Sequence, residues 1–540
     1  MQQLIRRLLL ALLVTASGSH GWSQDAPSPM PGPQSDRADV LLAGGEIHVG
    51  DGSAAFTGSV VIRKGRLEVL ADAAAVAVEA DVVMDCRGLV ICPGFIDLHT
   101  HSDDPVLERD TRACVNYLLQ GCTTMVTGNC GFGPVDCDKY LSAIDRQGAG
   151  TNVAHLLPQG SLRSEVIGKS DRSPTPEELQ QMRELSAKAM QDGAFGMTTG
   201  LIYIPGTLTP TTELIEIARV VAAGGGFYGS HIRGEGAELL ASIEEALTIG
   251  AEAGCAVHIS HLKASGRPYW GSLRLAIDRI EAARAAGRNV TADQYPYTAS
   301  STSLEATLLP AWAREGGREQ LQQRLADPTT AARIAAAVDD KLKTATRIQI
   351  ASCSFNRSWI GKSLDELSAA QGRSMVDIVL EIERNGGASI VNFNMSEEDL
   401  RLAMPREWVA TASDGGVKVF GATQPHPRSF GTFPRKIGRY AVEEGVLSLP
   451  AAIRSATGLP ARILGLKSRG LLKNGMAADV VVFDPAEFRD RSDFNNPWQS
   501  GTGLRHVLVN GVFAVHQGVP TGAMAGKALR RGSEEEQQKK

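Results

Sequence analysis

Between Gly88 and Gly415 the chain repeats one pattern eight times: a short apolar run that ends in polar residues. The runs are "GLVICPGFIDLHTH", "CTTMVTGNC", "NVAHLLPQG", "AFGMTTGLIY", "GFYGSHIR", "AVHISHLK", "NVTADQYPY" and "WVATASDG". Stretches with 3.6-residue periodicity separate most of them, for example "LLASIEEALTIGAEAG" and "LRLAIDRIEAARAAG". Parallel strands need such crossovers, and eight units of this kind predict an α/β fold of the (β/α)8 type, a TIM-like barrel. An open doubly wound sheet is the alternative. No glycine-rich phosphate loop follows the first run, which argues against nucleotide binding.

With 540 residues, 43% of them hydrophobic, the chain can bury a large core and more than one domain. From 38 to 92 the texture changes to short strands and glycine turns, and it returns over 456–520 in "NGMAADVVVFDP" and "GLRHVLVNGVFAVHQG". We expect one small β-sandwich built from both chain ends, around a barrel spanning 93–455. The gap between Tyr297 and Trp408 exceeds one helix and loop, so an insertion at about 303–390 is expected as a lid over one mouth. Residues 521–540 read as a tail whose charged end is disordered.

The first 23 residues have Arg6 and Arg7, an apolar run from Leu8 to Val14, then small residues. That is a signal-peptide pattern, with cleavage near Ser23, and it predicts export to the periplasm or medium. Residues 24–37 are proline-rich and read as a disordered linker. The apolar run is too short for a stable membrane anchor. A net charge of −5 without a basic face argues against a nucleic-acid partner. Eight cysteines in an exported chain of this size suggest at most one or two disulfides. Oligomeric state has no signal in the sequence.

The eleven histidines carry the functional signal. His99 and His101 are spaced to share a face at the end of the first barrel run. Cys130, His231, His261 and Asp414 fall at the ends of four other runs. Barrel chemistry sits at that end of the strands, so six ligand-type residues meet at one mouth. Imidazole and thiolate together suit Zn2+ or a similar borderline metal better than Mg2+ or Ca2+. Each residue alone has a plain structural role open to it. Cys130 could pair with Cys137, and Asp414 could shape a turn. His258 has opposite parity to His261 and reads as structural; His155 reads as core or supporting.

These residues stand in motifs that resemble the amidohydrolase superfamily, specifically the N-acyl-D-amino-acid deacylases (D-aminoacylases). The similar segments, from about Ala38 to Arg531, include "PGFIDLHTHSD", "GNCG", "SHIRGEG", "ISHLKASG", "ADQYPYTASST", "ASDGG" and "HPRSFGTFPR". The resemblance implies that His99 and His101 bind one metal position, that Cys130, His231 and His261 bind the other, and that Asp414 touches metal and shuttles protons. It implies substrate-carboxylate contacts at Lys263, Tyr203, Tyr295 and Arg428. The substrate would be a small N-acyl-D-amino acid, or a dipeptide with a C-terminal D residue. Two departures, Leu262 in "HLK" and Gln159 in "LPQG", are expected near the pocket and bear on side-chain preference.

Amide hydrolysis needs an activated water, a stabilised oxyanion and a protonated leaving amine. Zinc lowers the pKa of bound water to roughly 7 and acts as a Lewis acid, while Asp414 can serve as general base and then acid. A cyclic-amide hydrolase of the hydantoinase or dihydroorotase type is an alternative. It usually needs a carboxylated lysine, and "AFGMTTGLIY" has none. A non-enzymatic binding scaffold is the other alternative; such a protein would be expected to lose ligands, and here all are present.

Overall fold

The computed structural model describes residues 37–71, 78–421 and 423–532. The leader, all but the last linker residue, and the charged end of the tail lie outside that range.

In chain order the first strands are β1 (Ala38–Ile47), β2 (Phe56–Arg63), β3 (Arg66–Ala71), β4 (Ala80–Asp85) and β5 (Val90–Pro93). The barrel follows with β6 (Phe95–Asp97), β7 (Cys122–Thr127), β8 (Asn152–His155), its continuation β9 (Leu157–Pro158), β10 (Gly196–Gly200), β11 (Phe227–His231), β12 (Val257–Ile259) and β13 (Val290–Gln294). An insertion contributes β14 (Ser300–Ser303), β15 (Ile348–Ser352) and β16 (Ser389–Asn392) before the last barrel strand, β17 (Val409–Thr411). The chain ends through β18 (Val480–Phe483), β19 (Leu504–Val509), β20 (Val512–His516) and β21 (Val519–Pro520).

The barrel strands pair in parallel, in two runs: β6-β7-β8 and β9-β10-β11-β12-β13-β17. Closure comes just beyond β6 and β17, where Thr100 bridges Gly415 and the Asp414 amide donates to the His99 carbonyl at 2.8 Å. All eight runs read from the sequence therefore lie around one ring. The helices between them form as local chemistry dictates. Pro176–Gln191 starts at a Thr175–Glu178 capping box, and Leu239–Ala253 stops where Gly254 turns left-handed at φ 73°. Their apolar faces bury Leu214, Ile217, Ile243 and Leu247 against the outside of the strands.

The barrel floor is a separate cluster. Ile96, Val126, Ala154, Phe227 and Ala410 come from five strands, and Leu459, Leu464 and Leu529 close it from below. This shifts two domain limits. Helix Gly458–Leu464, which a boundary at 456 gives to the β domain, packs under the barrel because its leucines fill the floor. The first part of the tail is also packed: Gly526 bridges Ala149, and Ala528 bridges Val153.

Strands from the two chain ends form one nine-stranded sheet along the path β21-β20-β19-β18-β5-β1-β2-β3, with the ninth strand, β4, also paired to β1. The Leu67 amide donates to the Met476 carbonyl, so β3 returns toward the start of β18 and the path encloses a core of Leu42, Ile47, Val60, Ile62, Val480 and Val482. The insertion has its own core around Leu308, Ile334, Ile350 and Ile378, and its small antiparallel sheet spans 300–392, slightly wider than the sequence suggests. No helix among the described residues is long and apolar enough to cross a membrane.

Gln159 does not face the pocket. It is buried beside Arg163 and donates to Glu213 at 3.1 Å, and Arg163 forms an ion pair with the same carboxylate. Leu262 likewise packs into the outer helix–strand core. Neither departure lines a cavity at the barrel mouth. Removing one partner of a buried pair strands the other charge. Arg163→Met should therefore cost about 3–5 kcal/mol in chemical denaturation, whereas R163M/E213L should recover most of that loss.

Candidate active site

Every residue singled out as a ligand lies at the C-terminal end of a barrel strand. His99 and His101 follow β6, Cys130 sits in the turn Asn129–Gly131 after β7, and His231 ends β11. His261 follows β12 and Asp414 follows β17. Three of them leave the strand with left-handed backbone: Cys130 at φ 51°, His261 at φ 37° and Asp414 at φ 49°. Such strain persists only where surroundings fix it, and it is typical of functional sites. The "GNCG" turn shows how. Gly128 has φ 81°, and a Cβ there would lie 2.0 Å from the Leu156 carbonyl oxygen, so only glycine lets the turn pass β8 and deliver Cys130 inward.

The donor atoms converge. Cys130 Sγ lies 3.3 Å from His99 Nε2, 3.7 Å from His231 Nδ1 and 3.9 Å from His261 Nε2. His261 Nε2 and His231 Nδ1 are 2.8 Å apart. Asp414 Oδ1 is 3.0 Å from His101 Nε2 and 3.4 Å from His99 Nε2. Three ligand groups result: His99–Cys130–His261 and His99–His101–Asp414, which share His99, and His231–Glu235–His261. Two imidazole nitrogens and a thiol facing one another in a buried space suit a borderline cation, and this donor set fits zinc.

The electrostatics agree. Burial alone would keep the Cys130 thiol protonated, but His99 and hydrogen bonds from His101, His231 and His261 hold its pKa well below the usual thiol value. Burial also opposes ionisation of Asp414, and Arg428 and His99 overcome it, so that carboxyl is held well below the ordinary range. His231 is lowered by burial and by the neighbouring His261, which leaves it a neutral donor.

A supporting layer escaped the sequence reading. Asp293, on β13, accepts the His261 amide at 2.7 Å and lies 3.3 Å from His99 Nδ1 and 2.9 Å from His258 Nε2. His258 therefore faces the interior, as His261 does. The parity argument fails because the chain leaves β geometry before His261. Glu235 lies 3.1 Å from His261 Nδ1 and 2.5 Å from Lys263 Nζ. Asp97, pushed up to about 7 by burial, accepts the amides of His99 and Ser413 and ties β6 to β17. "SHIRGEG" and "TADQYPY" contained Glu235 and Asp293, but spacing alone gave them no role. His155 is a core histidine, held by Thr127 and the Pro134 carbonyl.

The four expected substrate contacts surround this cluster. Arg428 begins helix Arg428–Pro434; its Nη1 is 2.7 Å from Asp414 Oδ2, and its Nη2 donates to the Ser301 carbonyl. The guanidinium stacks 4.8 Å over the Tyr295 ring, whose hydroxyl donates to Met395 Sδ. Lys263, Tyr203 and Tyr295 line one cavity of about 280 Å³ with His231, His261 and Asp414. The Tyr203 hydroxyl pairs with Thr302 of the insertion sheet at 2.9 Å. All eight cysteines are unpaired, and Cys137 sits in the core away from Cys130's histidines.

The sequence pattern of the amidohydrolase family matches residues 82–515. This chain belongs to the amidohydrolase family. Within that family it is 34% identical over 516 residues to a D-aminoacylase of Alcaligenes xylosoxydans xylosoxydans, covering 91% of this chain and 98% of the relative. Among solved structures, an N-acyl-D-glutamate deacylase from Bordetella bronchiseptica, complexed with zinc and a phosphonate inhibitor, superposes with a TM-score of 0.79 at 30% identity, covering 92% of this chain and 100% of that one. A D-aminoacylase whose binuclear metal centre was the subject of study gives the same TM-score, 0.79, at 32% identity and the same coverage, 92% and 100%. The amidohydrolase is thus a metal-dependent hydrolase, and the donor cluster at its strand ends has the chemistry that suits zinc.

If Asp293 orients His99, Asp293→Asn should weaken zinc binding by about 10–100-fold, measured by competition with a chromophoric chelator. Cys130→Ala should weaken it further. Unchanged affinity in both variants would remove these residues from the centre.

Proposed function

We propose that this amidohydrolase removes the acyl group from N-acyl-D-amino acids and also cleaves dipeptides with a C-terminal D residue, releasing a carboxylate and a free D-amino acid. The observation that carries the reading is the double engagement of Asp414. One oxygen faces His99 and His101, and the other faces Arg428. The proton-handling carboxylate therefore sits between the metal ligands and a cation suited to a substrate carboxylate.

In this reading His99, His101 and Asp414 hold one metal position, and Cys130, His231 and His261 the other. Zinc, when bound, supplies a Lewis acid for the scissile carbonyl and acidifies the attacking water. Asp414, kept ionised by its neighbours, accepts the water proton and returns it to the leaving nitrogen. Arg428 and Lys263 attract the α-carboxylate, and the planar guanidinium can pair with it in bidentate fashion. The buried ring of Tyr295 fixes the guanidinium's plane, and Tyr203 closes the wall toward the insertion. The D configuration rests on the relatives, which are named for D substrates. A cyclic-amide hydrolase lacks support here, because β10 offers no lysine and Cys130 occupies the centre. A binding-only scaffold is disfavoured by the complete ligand set.

Initial rates on matched N-acetyl-D- and N-acetyl-L-amino acids, with zinc-loaded protein, test this directly. Strong D preference is expected, and Asp414→Asn should lower kcat by about 10²–10⁴-fold. No turnover of either enantiomer by metal-loaded protein would sink the reading. Export belongs to the same proposal and rests on the leader-like segment 1–23. Fractionation of expressing bacteria should find a processed chain outside the cytoplasm; an unprocessed cytoplasmic chain would count against it.

A further inference from the structure

Three cavities open on the metal-ligand cluster: one of about 300 Å³ beside His101, Asp414 and Arg428, and two more that differ in size. The smaller, of about 280 Å³, contains Lys263 and Tyr295. The larger, of about 890 Å³, touches the cluster at His101 and Cys130 and runs outward beneath the insertion. Lys263, Tyr295 and Arg428 do not line it. The two halves of an amide leave the scissile carbon in opposite directions. With the carboxylate half held at Lys263 and Arg428, the acyl half enters the larger room. That room is far bigger than an acetyl group requires, and it is in the range of whole small-molecule sites.

Its wall carries a buried cation without a direct ion-pair partner. Arg314, on the short helix Ala311–Arg314 of the insertion, is only 7% exposed. Its Nη1 donates to the Ile202 carbonyl at 3.0 Å, next to Tyr203, and its Nε has no partner. The two carboxylates of the same wall offset its charge only at longer range, and Glu383 keeps one buried oxygen unpartnered. Glu383 and Glu305 lie 2.8 and 3.8 Å from Arg318, and neither forms an ion pair with Arg314. Lys169 and Arg357 add exposed cations to the lining. The cations of the lining, Lys169, Arg314, Arg318 and Arg357, outnumber its carboxylates, Glu305 and Glu383, and a carboxylate arriving as ligand would redress that balance.

We propose that Arg314 receives an anionic group at the far end of the acyl chain, so that the preferred substrates are D-amino acids N-acylated by a dicarboxylic acid, of the N-succinyl or N-glutaryl class. The inference rests on the deacylase reading above and names its acyl partner. Water adds across the amide, giving the free dicarboxylic acid and the D-amino acid, with no other reactant.

The test uses the full, zinc-loaded chain and compares kcat/KM for N-succinyl-D-leucine with that for N-butanoyl-D-leucine, a neutral acyl group of similar length. A charge-assisted bond predicts a ratio of about tenfold or more in favour of succinyl. In Arg314→Gln the ratio should fall toward one, and in Arg314→Lys it should be partly retained. A wild-type ratio near or below one overturns the proposal, as does a ratio unmoved in Arg314→Gln. If Arg314→Gln instead lowers N-acetyl-D-glutamate turnover relative to N-acetyl-D-leucine while the succinyl ratio stays, Arg314 serves the amino-acid side chain and the proposal is wrong. Where thermal unfolding shows that Arg314→Gln does not fold, the wild-type ratio decides alone. Turnover of N-acetyl-D-leucine by wild type separates the two readings: without it the deacylase assignment fails, and with it only the acyl preference is at stake.

Discussion

The site depends on how the barrel closes. Between its first and last strands the ring is joined by the Asp414 amide donating to His99, the His101 amide donating to Gly415 at 2.7 Å, and the Ser413 amide donating to Asp97 at 2.9 Å. These three backbone donors lie more than 300 residues from their partners in sequence, yet they fix His99, His101 and Asp414 against one another. Side-chain geometry follows from that seam. Were it looser by an ångström, the carboxylate could not reach both imidazoles and a guanidinium, and site precision of this order is what catalysis requires.

Charge balance is the second constraint. Imidazoles, a thiol, carboxylates, a lysine and an arginine crowd one cluster that is largely buried apart from His101. Isolated, each would neutralise or destabilise the fold. Here Glu235 offsets Lys263, Asp293 stands between His99 and His258, and Arg428 offsets Asp414. The cluster is tolerable as a set, which explains why the strained residues Cys130, His261 and Asp414 stay where they are.

Much of this was legible in the sequence. The eight runs, their polar ends and the residues at those ends follow from period-two and period-3.6 patterning, and these are local properties. What stayed hidden depends on where the chain stops being regular. His258 and His261 both face inward because the backbone turns left-handed after β12, and no periodicity reports that. Asp293 and Glu235 lacked a role for a related reason. A lone acid in a strand or loop gains meaning only from the imidazole that a distant segment brings to it. Gln159 and Leu262 erred in the other direction: near the site in sequence, they point into helix packing. Arg314 lies in an insertion whose own core says nothing of the barrel mouth it overhangs.

The small β domain joins residues near 40 to residues near 510, and Leu529 seals the barrel floor from the far end of the chain. A ribosome delivers these partners hundreds of residues apart. β5 and the outer edge of β3 must wait, unpaired on one side, until the segment from Met476 through β18 emerges, and the floor stays open until Leu529 arrives. The native state is therefore completed by the chain's final segments acting as a latch. A nascent or truncated polypeptide would show its apolar strands and its unsealed barrel floor to solvent, the surface that chaperones recognise and that otherwise aggregates.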